Sequence, residues 1–431
     1  MVLGGRMAEP VDDGARLGWL DGLRGVAAVQ VVLLHYVSAF LPAVAFGDPR
    51  LAHFGWEHLV FATPLFLPFD GYFAVFIFFV LSGVALTCSF AARPFALATG
   101  VARRVVRLGL PMAAAVLLGG ALFALVPAAH VAAGLRSRSD GWLAVVAPEQ
   151  ISIAAMAHQI VFEGMLAGYR DTTMLPPQLA GRLGLALRAG AFNAPLWTLH
   201  IEFFGSLLVL LLVAMRALVG RATHLAICLM LLASLVASPL SLFIVGHLAA
   251  PWLRRPAIRR RHVAAATALL LLGGLLATTP ELTRWLLLQI PLPVPLLGPA
   301  IGGGDLKKMV GAGLVFAGVG MLPALQAALC RPALRRLGRL SFALYLTHFP
   351  VLFTVTSAVF VAVGNHVSYA VAVVLASLLG LAVSAAAAVA FERWVDRPAT
   401  ALSRRVSISL IGGARVVRLA AASAHDIRPV R

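Results

Sequence analysis

The sequence predicts an all-α protein, a polytopic transmembrane helical bundle of about ten helices, and three observations support this fold class. Of the 431 residues, 61% are hydrophobic and only 12% are charged, whereas soluble domains carry roughly 25% charged residues. The mean hydropathy is +0.93. Long apolar runs recur along the chain, and most charged residues lie in short stretches between them. Most of the chain therefore has lipid as its solvent.

Ten segments are apolar enough to be predicted as spanning helices, which need roughly 20 mostly apolar residues. They are 24–43, 72–91, 106–127, 197–215, 222–237, 239–253, 263–279, 307–324, 340–361 and 367–391. The turn at Ser238 and Pro239 predicts a tight hairpin of the fifth and sixth segments. We divide the chain into a cytoplasmic N-terminal segment 1–20, a membrane domain 21–398 and a basic cytoplasmic tail 399–431.

The distribution of basic residues predicts the orientation. The formal net charge is +18, but the arginines cluster between apolar runs, which is typical of cytoplasmic loops and not of a nucleic-acid surface. If all ten segments span and the N-terminus is cytoplasmic, 26 of the 35 Lys and Arg residues lie inside. Both termini are therefore predicted to be cytoplasmic. The long connection 128–196 is then outside, where it could cover a site.

The first apolar segment contains the most informative pair of ionisable residues. Arg24 lies at its cytoplasmic end, and His35 follows eleven residues later, about 16 Å along a helix and on broadly the same side. A neutral histidine near mid-membrane can take a proton from a hydroxyl group. The alternative is a structural histidine that is hydrogen-bonded to a neighbouring helix.

Three arginines precede the third segment, and each has a second interpretation. Arg103, Arg104 and Arg107 lie within two helical turns and could bind phosphates through paired hydrogen bonds. Alternatively, they only set the topology. Ser82 with Gly83 forms a small pair among bulky residues, where a backbone or a ligand can approach closely. No GxSxG motif marks Ser82 as a nucleophile.

The fourth and ninth segments carry further polar residues. Glu202 follows Trp197 and is expected just inside the outer boundary, where a carboxylate needs a partner. It could orient a histidine, bind a sugar hydroxyl or pair with an arginine. Tyr345 and His348 are three residues apart and share a helix face. We expect His348 nearer the inner face and His200 nearer the outer face, which leaves His35 alone at mid-depth.

The end of the last segment carries a mixed group of charges. Glu392, Arg393, Asp396 and Arg397 follow one another closely at the predicted inner face. Such a group is expected to end the helix and anchor it at the membrane surface. The three cysteines, Cys88, Cys228 and Cys330, show no CxxC or Cys/His spacing. Neither a disulfide nor a metal site is therefore predicted.

Taken together, these motifs resemble those of the family-3 membrane acyltransferases. The resemblance runs from about Leu20 to Pro398, and each motif alone is weak. The matching stretches are Arg24 with His35 (R-x10-H), 78–83 (FFVLSG), 103–111 (RRxxR followed by Pro), 197–202 (W-[ST]-L-x-x-E), 340–348 ([IL]-S-[YF]-x-x-Y-L-x-H) and 396–398 (E-[RK]-P). Asp396 replaces the usual Glu of the last motif, which preserves its charge.

The resemblance implies transfer of a short acyl group, such as acetyl, from acyl-CoA to a hydroxyl group. The acceptor would be a glycan, a lipid-linked molecule or a small molecule, in a bacterial inner membrane and without a permanently bound cofactor. His35 would be the general base and Arg24 would bind or orient the donor. Arg103, Arg104 and Arg107 would contact CoA phosphates. Further residues that would line the site are Ser82, Trp197, Glu202, Tyr345 and His348.

A second function stays open at this point. In a non-catalytic transporter or exporter of a glycan or lipid, the intramembrane His and Glu residues would form a path for protons or substrate. Such a protein would neither hydrolyse nor transfer acyl groups from acyl-CoA. No internal repeat is evident in the sequence, which argues weakly against transporters built from inverted halves.

The predicted orientation can be tested by cysteine labelling in intact cells. In a variant that lacks the three native cysteines, Asp140→Cys should react with a membrane-impermeant maleimide, because residue 140 belongs to the predicted outer connection. Thr400→Cys should react only after the cells are opened, since position 400 is predicted to be cytoplasmic. Labelling of position 400 from outside would overturn the orientation.

Overall fold

The structure, a computed structural model, describes residues 18–91, 97–253, 262–278 and 303–406. Within these ranges the chain consists of helices and loops, without a β-strand, which confirms the predicted all-α class. Most of the predicted N-terminal segment 1–20 and of the tail 399–431 lies outside the described residues. The arginine-rich stretch 254–261 also lies outside them.

Each predicted apolar segment overlaps one helix, and we number these helices α1 to α10. They are α1 (Gly18–Phe40), α2 (Gly71–Ala91), α3 (Leu97–Leu125), α4 (Trp197–Leu218), α5 (Arg221–Ser234), α6 (Leu240–Leu253), α7 (Val263–Thr278), α8 (Gly303–Met321), α9 (Pro332–Val351) and α10 (Tyr369–Phe391). α9 continues to Gly364 and α10 to Val406, each through one π-helical turn, Leu352–Thr356 and Glu392–Asp396 respectively.

Shorter helices connect these elements. The α-helical ones are Pro42–Phe46, Glu57–Phe61, Ala129–Arg136, Ile153–His158, Pro177–Arg182, Pro323–Leu329 and Ser357–Gly364. The 3-10 turns are Pro49–Leu51, Pro64–Phe69, Arg188–Gly190 and Ala194–Leu196, and a further π turn is Gln159–Glu163.

The lengths of the helices support an integral membrane protein but not the full predicted number of spans. Among the described residues, six helices are long and apolar enough to cross a membrane: α1, α2, α3, α4, and the extended α9 and α10. α8 and Pro323–Leu329 form a pair bent by 96°, which would make a seventh span. α5, α6 and α7 contain 14, 14 and 16 residues, less than the roughly 20 that a span needs. Ten spans and cytoplasmic termini stay predictions.

α2 lies at the centre of the bundle, and its sequence explains why. Its segment FAVFIFFVLSGVAL is apolar on every face, and a helix of this kind is stable only when it is surrounded by other apolar groups. α2 packs against α1, α4, α6 and α8. By contrast, α10 exposes much of its apolar surface, including Val374 and Leu378, as expected for a helix that faces lipid.

α1 and α9 pack against each other over an extensive contact, and glycines make this proximity possible. A Cβ atom on Gly338 of α9 would collide with the backbone carbonyl of Asp21 on α1. A Cβ atom on Gly25 would lie only 2.7 Å from the backbone nitrogen of Gly338. Small residues at such contacts let two helix backbones pack directly against each other. This contact fixes the side chains of α1 relative to those of α9.

The long connection between α3 and α4 is folded against the bundle by specific hydrogen bonds. Ser139 donates to the carbonyl of Ser38 at the end of α1 (2.7 Å). Asn193 donates through its side-chain amide to the carbonyl of Leu346 on α9 (2.8 Å). These bonds tie the connection to α1 and α9.

The tight contact between α1 and α9 predicts opposite effects for two glycine substitutions. Gly338→Ala should lower the thermal stability, because the new methyl group meets the Asp21 carbonyl, and overpacking typically costs about 1–3 kcal/mol. Gly313→Ala on α8 is the matched control, since a Cβ atom added there would meet nothing within 4 Å and alanine favours a helix. Thermal unfolding in detergent measures both. Equal stability of the two variants would contradict the contact.

Candidate functional site

A pair of histidines joins α1 and α9 in the interior of the bundle. Nδ1 of His35 lies 2.9 Å from Nε2 of His348, and the two rings are partly stacked, with centroids 5.0 Å apart. The prediction that His348 lies nearer the inner face than His35 is wrong, because this bond places both side chains at one depth. The sequence indicates where His348 lies along α9, but it does not show how far α9 is shifted along α1.

The hydrogen bonds of the pair define its tautomers. Nδ1 of His348 lies 2.8 Å from the carbonyl oxygen of Leu344, which can only accept, so Nδ1 carries the proton. Nε2 of a neutral His348 then has a lone pair, and Nδ1 of His35 donates its proton to it. In this arrangement Nε2 of His35 has a free lone pair. The pair is therefore arranged so that His35 can accept a proton at Nε2.

Aromatic rings hold the His35 side chain in place. The indole of Trp142 stacks on it with ring centroids 5.9 Å apart and planes 10° apart. Phe349 of α9 meets it edge-on at 5.4 Å. Trp142 comes from the α3–α4 connection, so this connection reaches over His35, a role that the sequence left open. Trp142 itself was not expected there, because a tryptophan in a long loop carries no spacing signal.

His35 lines a cavity of about 530 Å³, which we call the histidine cavity. Its lining includes the polar, tyrosine and tryptophan side chains of His35, Ser38, Asp70, Tyr72, Trp142, Asp171, Arg188, Trp197, Lys308 and Tyr345, together with four phenylalanines. The cavity wall contains two ion pairs, Lys308 with Asp70 (N–O distance 2.9 Å) and Arg188 with Asp171 (N–O distance 2.8 Å). Arg188 also lies 5.7 Å from the ring centroid of Trp197, within cation–π range. The sequence analysis singled out only His35, Trp197 and Tyr345 of this set.

A second cavity, of about 300 Å³, contains the basic residues of the candidate site. We call it the arginine cavity, and its charged or hydroxyl-bearing lining consists of Arg24, Ser82, Ser89, Arg104, Arg107, Thr198, Glu202, Ser341 and Tyr345. Six of these were predicted as site residues. Arg103 is on the same helix as Arg104 but does not line this cavity, so the structure does not bring it together with the other two arginines.

Two carboxylates partly neutralise the arginine cavity. Arg104 pairs with Glu202 at 2.9 Å, which confirms the ion-pair alternative for this glutamate. The same contact shows that the expected positions of the two residues, near opposite boundaries of the membrane, are wrong, because a spanning helix separates those boundaries by about 30 Å. Arg107 pairs with Asp396 and lies 5.1 Å from the ring centroid of Phe342. Asp396 was expected only to anchor the end of the last helix. Its partner is 289 residues away in the sequence, so only the tertiary fold shows the contact. Arg24 forms no ion pair with any described residue, and the cavity keeps an excess of positive charge.

The two cavities meet at Tyr345 and Val75, which line both of them. The Tyr345 hydroxyl donates to the carbonyl of Pro195 (2.6 Å) and lies 2.7 Å from the Thr198 hydroxyl. These bonds fix the ring at the start of α4, between the arginines and His35. Arg24 and His35 therefore do not share one cavity, although the sequence placed them on the same side of α1. They line two adjoining cavities that share a wall.

The third histidine considered from the sequence has a different role. Nδ1 of His200 lies 2.9 Å from the carbonyl of Met165, and its Nε2 accepts from the backbone nitrogen of Met174 (3.3 Å). Both ring nitrogens are thus used to hold the α3–α4 connection against α4. His200 is structural in this arrangement.

One of the comparisons with known proteins gives a match. The model of one family, described as an acyltransferase domain, matches residues 17–389. This is the family-3 acyltransferase domain of membrane O-acyltransferases. No curated protein and no solved structure matches the chain. The matched range includes all of the residues of the histidine pair and the arginine cavity described above, and it ends shortly before Asp396.

The ion pair of Arg107 and Asp396 predicts a stability difference within one turn of the last helix. Asp396→Asn should lower the stability by about 1.5–3 kcal/mol, since it weakens a charge-assisted hydrogen bond whose partners are largely buried. Glu392→Gln is the matched control, because its partner Arg397 is 69% exposed and exposed pairs contribute little. Thermal unfolding in detergent compares them. A smaller loss for Asp396→Asn than for Glu392→Gln would contradict the assignment.

Proposed function

The chain belongs to the family-3 acyltransferases, and from this premise we propose that it is a membrane-bound O-acyltransferase with His35 as general base. It would transfer a short acyl group, such as acetyl, from acyl-CoA to a hydroxyl group of an acceptor. The observation that carries the proposal is the His35–His348 pair, which leaves Nε2 of His35 with a free lone pair while the ring lines the histidine cavity. Membership in the family itself supports acyltransferase activity in general.

We assign the acyl donor to the arginine cavity. Three guanidinium groups, those of Arg24, Arg104 and Arg107, line a space of about 300 Å³ in which two carboxylates leave a net positive charge. Guanidinium groups bind phosphate through paired hydrogen bonds, and coenzyme A carries phosphates at the end remote from its thioester. The donor would bind with its phosphates at these arginines and its thioester toward Tyr345.

We assign the acceptor to the histidine cavity. At about 530 Å³ it is the larger of the two, and it combines aromatic rings, such as those of Tyr72, Trp142 and Trp197, with charged side chains. Such a lining presents flat apolar surface together with hydrogen-bonding groups, as sites for polar organic ligands do. A carbohydrate, a lipid-linked glycan or a polar small molecule would fit this chemistry.

The reaction that we propose needs one base and no bound cofactor. The acceptor hydroxyl would hydrogen-bond to Nε2 of His35 and lose its proton to it while the oxygen attacks the thioester carbonyl. The new ester bond forms as the carbon–sulfur bond breaks. The proton on His35 then passes to the departing thiolate, which gives free coenzyme A. His348 accepts the hydrogen bond from Nδ1 of His35 throughout, and so it orients the base and stabilises its charged form.

The placement in the membrane is part of the proposal. We place the arginine cavity toward the cytoplasm, where acyl-CoA is found, and residues 128–196 on the opposite side of a bacterial inner membrane. This agrees with the excess of arginine in the loops assigned to the cytoplasm and requires ten spans, with α5 to α7 as short ones.

The test of the function uses the native host with the chromosomal gene deleted and then restored in variant form. Membranes are supplied with acetyl-CoA that is labelled in its acetyl group, and base-labile label is measured in the lipid and glycan fractions. His35→Gln should lower this transfer about 10²- to 10⁴-fold, because glutamine cannot take up the proton. His348→Gln keeps an acceptor opposite His35 and should retain more activity than His348→Leu.

His200→Gln is the control for the loss of a histidine that lies outside the pair, and its transfer should exceed that of His35→Gln. The double variant His35→Gln with His348→Leu should be no less active than His35→Gln alone, because the two residues act as one unit. Near-normal transfer by a well-expressed His35→Gln variant would refute the general base. Equal label with and without the gene would refute acyl transfer and favour the exporter alternative.

A further inference from the structure

Apart from the histidine pair, the described chain contains a cluster of two histidines and a cysteine at the α5–α6 hairpin. His224 and Cys228 are four residues apart on α5, so they lie on one face of that helix. His247 approaches them from α6. All three side chains are buried, and one ligand atom from each lies within 4.8 Å of the others. The mechanism proposed above does not use any of them.

The distances in the cluster match those of a tetrahedral metal site. Nε2 of His224 lies 3.4 Å from Nε2 of His247 and 3.8 Å from Sγ of Cys228. Zinc–nitrogen bonds of about 2.0–2.1 Å and zinc–sulfur bonds of about 2.3 Å place tetrahedral ligand atoms about 3.4 Å (N to N) and 3.6 Å (N to S) apart. The two separations from His224 differ from these values by only a few tenths of an ångström, and the ligand atoms of His247 and Cys228 lie within 4.8 Å of each other, so an ion fits after a modest movement of the side chains.

A fixed outer partner orients the His247 ring. The Thr87 hydroxyl of α2 donates to the carbonyl of Gly83 (2.7 Å), and it can therefore only accept from Nδ1 of His247, 2.9 Å away. Nδ1 carries the proton, and the lone pair of His247 is at Nε2, which faces the cluster. Metal-binding histidines commonly have such a partner on their second nitrogen. Gly83 also contacts the α6 backbone at Phe243 and Gly246, which keeps Thr87 opposite His247.

The hydrogen bonds within the protein do not provide full partners for the polar atoms of the cluster. Nε2 of His224 lies 3.2 Å from the carbonyl of Leu212, so the one proton on this nitrogen must serve both that oxygen and Nε2 of His247. The thiol at 3.8 Å is too distant to form a strong bond with either nitrogen of His224. The lone pair of His247 therefore shares its one donor with the Leu212 carbonyl, and the Cys228 thiol has only weak contacts. A cation at their centre would satisfy both, with Cys228 as the thiolate.

We propose that His224, Cys228 and His247 bind a Zn²⁺ ion that ties α5 to α6. Two imidazoles and one thiolate suit this borderline-soft ion. His224 and His247 also line a cavity of about 770 Å³ at this hairpin, which gives the ion access and leaves a fourth coordination position for water. α5 has 14 residues, and its main packing partners among the described helices are α4 and α6. A metal bridge would therefore strengthen the attachment of this short helix to α6.

The sequence analysis predicted no metal site, because it found neither CxxC nor Cys/His spacing, and for the Cys/His spacing that statement is wrong. The signal was present as His224 and Cys228 in the order H-x3-C, a spacing that fits one helix face. The third ligand follows 19 residues later on another helix, and only the hairpin between α5 and α6 brings it into reach. The prediction of no metal site is thus replaced by the proposal of a Zn²⁺ site.

Metal content of the purified full-length protein in detergent tests the proposal. The protein is isolated through a tag without histidine, treated with EDTA, incubated with Zn²⁺ and desalted, and zinc is measured by mass spectrometry. We expect about one ion per chain. Co²⁺ in place of Zn²⁺ should give the near-ultraviolet charge-transfer band of a cobalt–thiolate bond. Absence of that band from the wild-type protein would overturn the proposal, whatever the variants do.

Variants assign the binding to the cluster. Cys228→Ser and His247→Gln should each lose most of the retained zinc, and Cys228→Ser should lose the cobalt–thiolate band. Cys88→Ser, whose side chain lines the same cavity, and His366→Gln, in an exposed turn, are matched controls and should keep both. Zn²⁺ should also raise the unfolding temperature of the wild type and not that of Cys228→Ser. Equal retention of zinc by the wild type and Cys228→Ser, or an equal loss in Cys88→Ser, would refute the site.

Discussion

The direct contact between the backbones of α1 and α9 is the constraint on which the candidate site depends. Gly25 and Gly338 leave no room for a side chain between the two helices. Because the backbones touch, the register of one helix against the other is fixed along its length. Arg24 and His35 on α1 are thereby set against Tyr345 and His348 on α9. In lipid, where apolar burial between helices adds little, such close packing of small residues is a main source of helix association. The polar groups of the site therefore rely on a contact that contains no polar side chain.

The charges of the arginine cavity follow from a second constraint, the high free energy of an unpaired charge at membrane depth. Arg104 and Arg107 each have one carboxylate partner, and Arg24 has none among the described residues. Two ion pairs neutralise Arg104 and Arg107 without a ligand, and the third guanidinium leaves the cavity positive. In the function that we propose, the phosphates of the donor complete this balance. The partners come from three different helices, so the same interactions that neutralise the arginines also hold α3, α4 and α10 together.

Much of the fold could be predicted from the sequence, because apolar runs in lipid form helices whatever their neighbours are. All ten predicted segments overlap helices. The number of spans was harder to predict, since the length of an apolar run does not show where a helix ends or bends, as at Leu322 and Pro323.

For the site, the sequence indicated His35, Glu202 and the arginines by the free-energy cost of burying charged or polar groups. It could not indicate the partners: His35 and His348 are 313 residues apart, and their contact depends on the register of α1 against α9. Asp396 and Trp142 were missed for the same reason, because their positions follow from packing and leave no pattern in the chain.

The use of a second histidine to orient the first has a physical reason in this environment. In hydrolases of the Ser-His-Asp type, a buried carboxylate accepts the hydrogen bond from the catalytic imidazole. A carboxylate in the interior of a membrane bundle would need several donors of its own to offset its desolvation. A neutral imidazole offers the same lone pair without a full charge, and the carbonyl of Leu344 is enough to fix its tautomer. The positive charge that His35 gains in the proposed mechanism can then be shared along the hydrogen bond to His348. The cost is that a histidine stabilises the charge on His35 less than a carboxylate would. The two carboxylates at the arginine cavity do not take this role, because they are paired with Arg104 and Arg107.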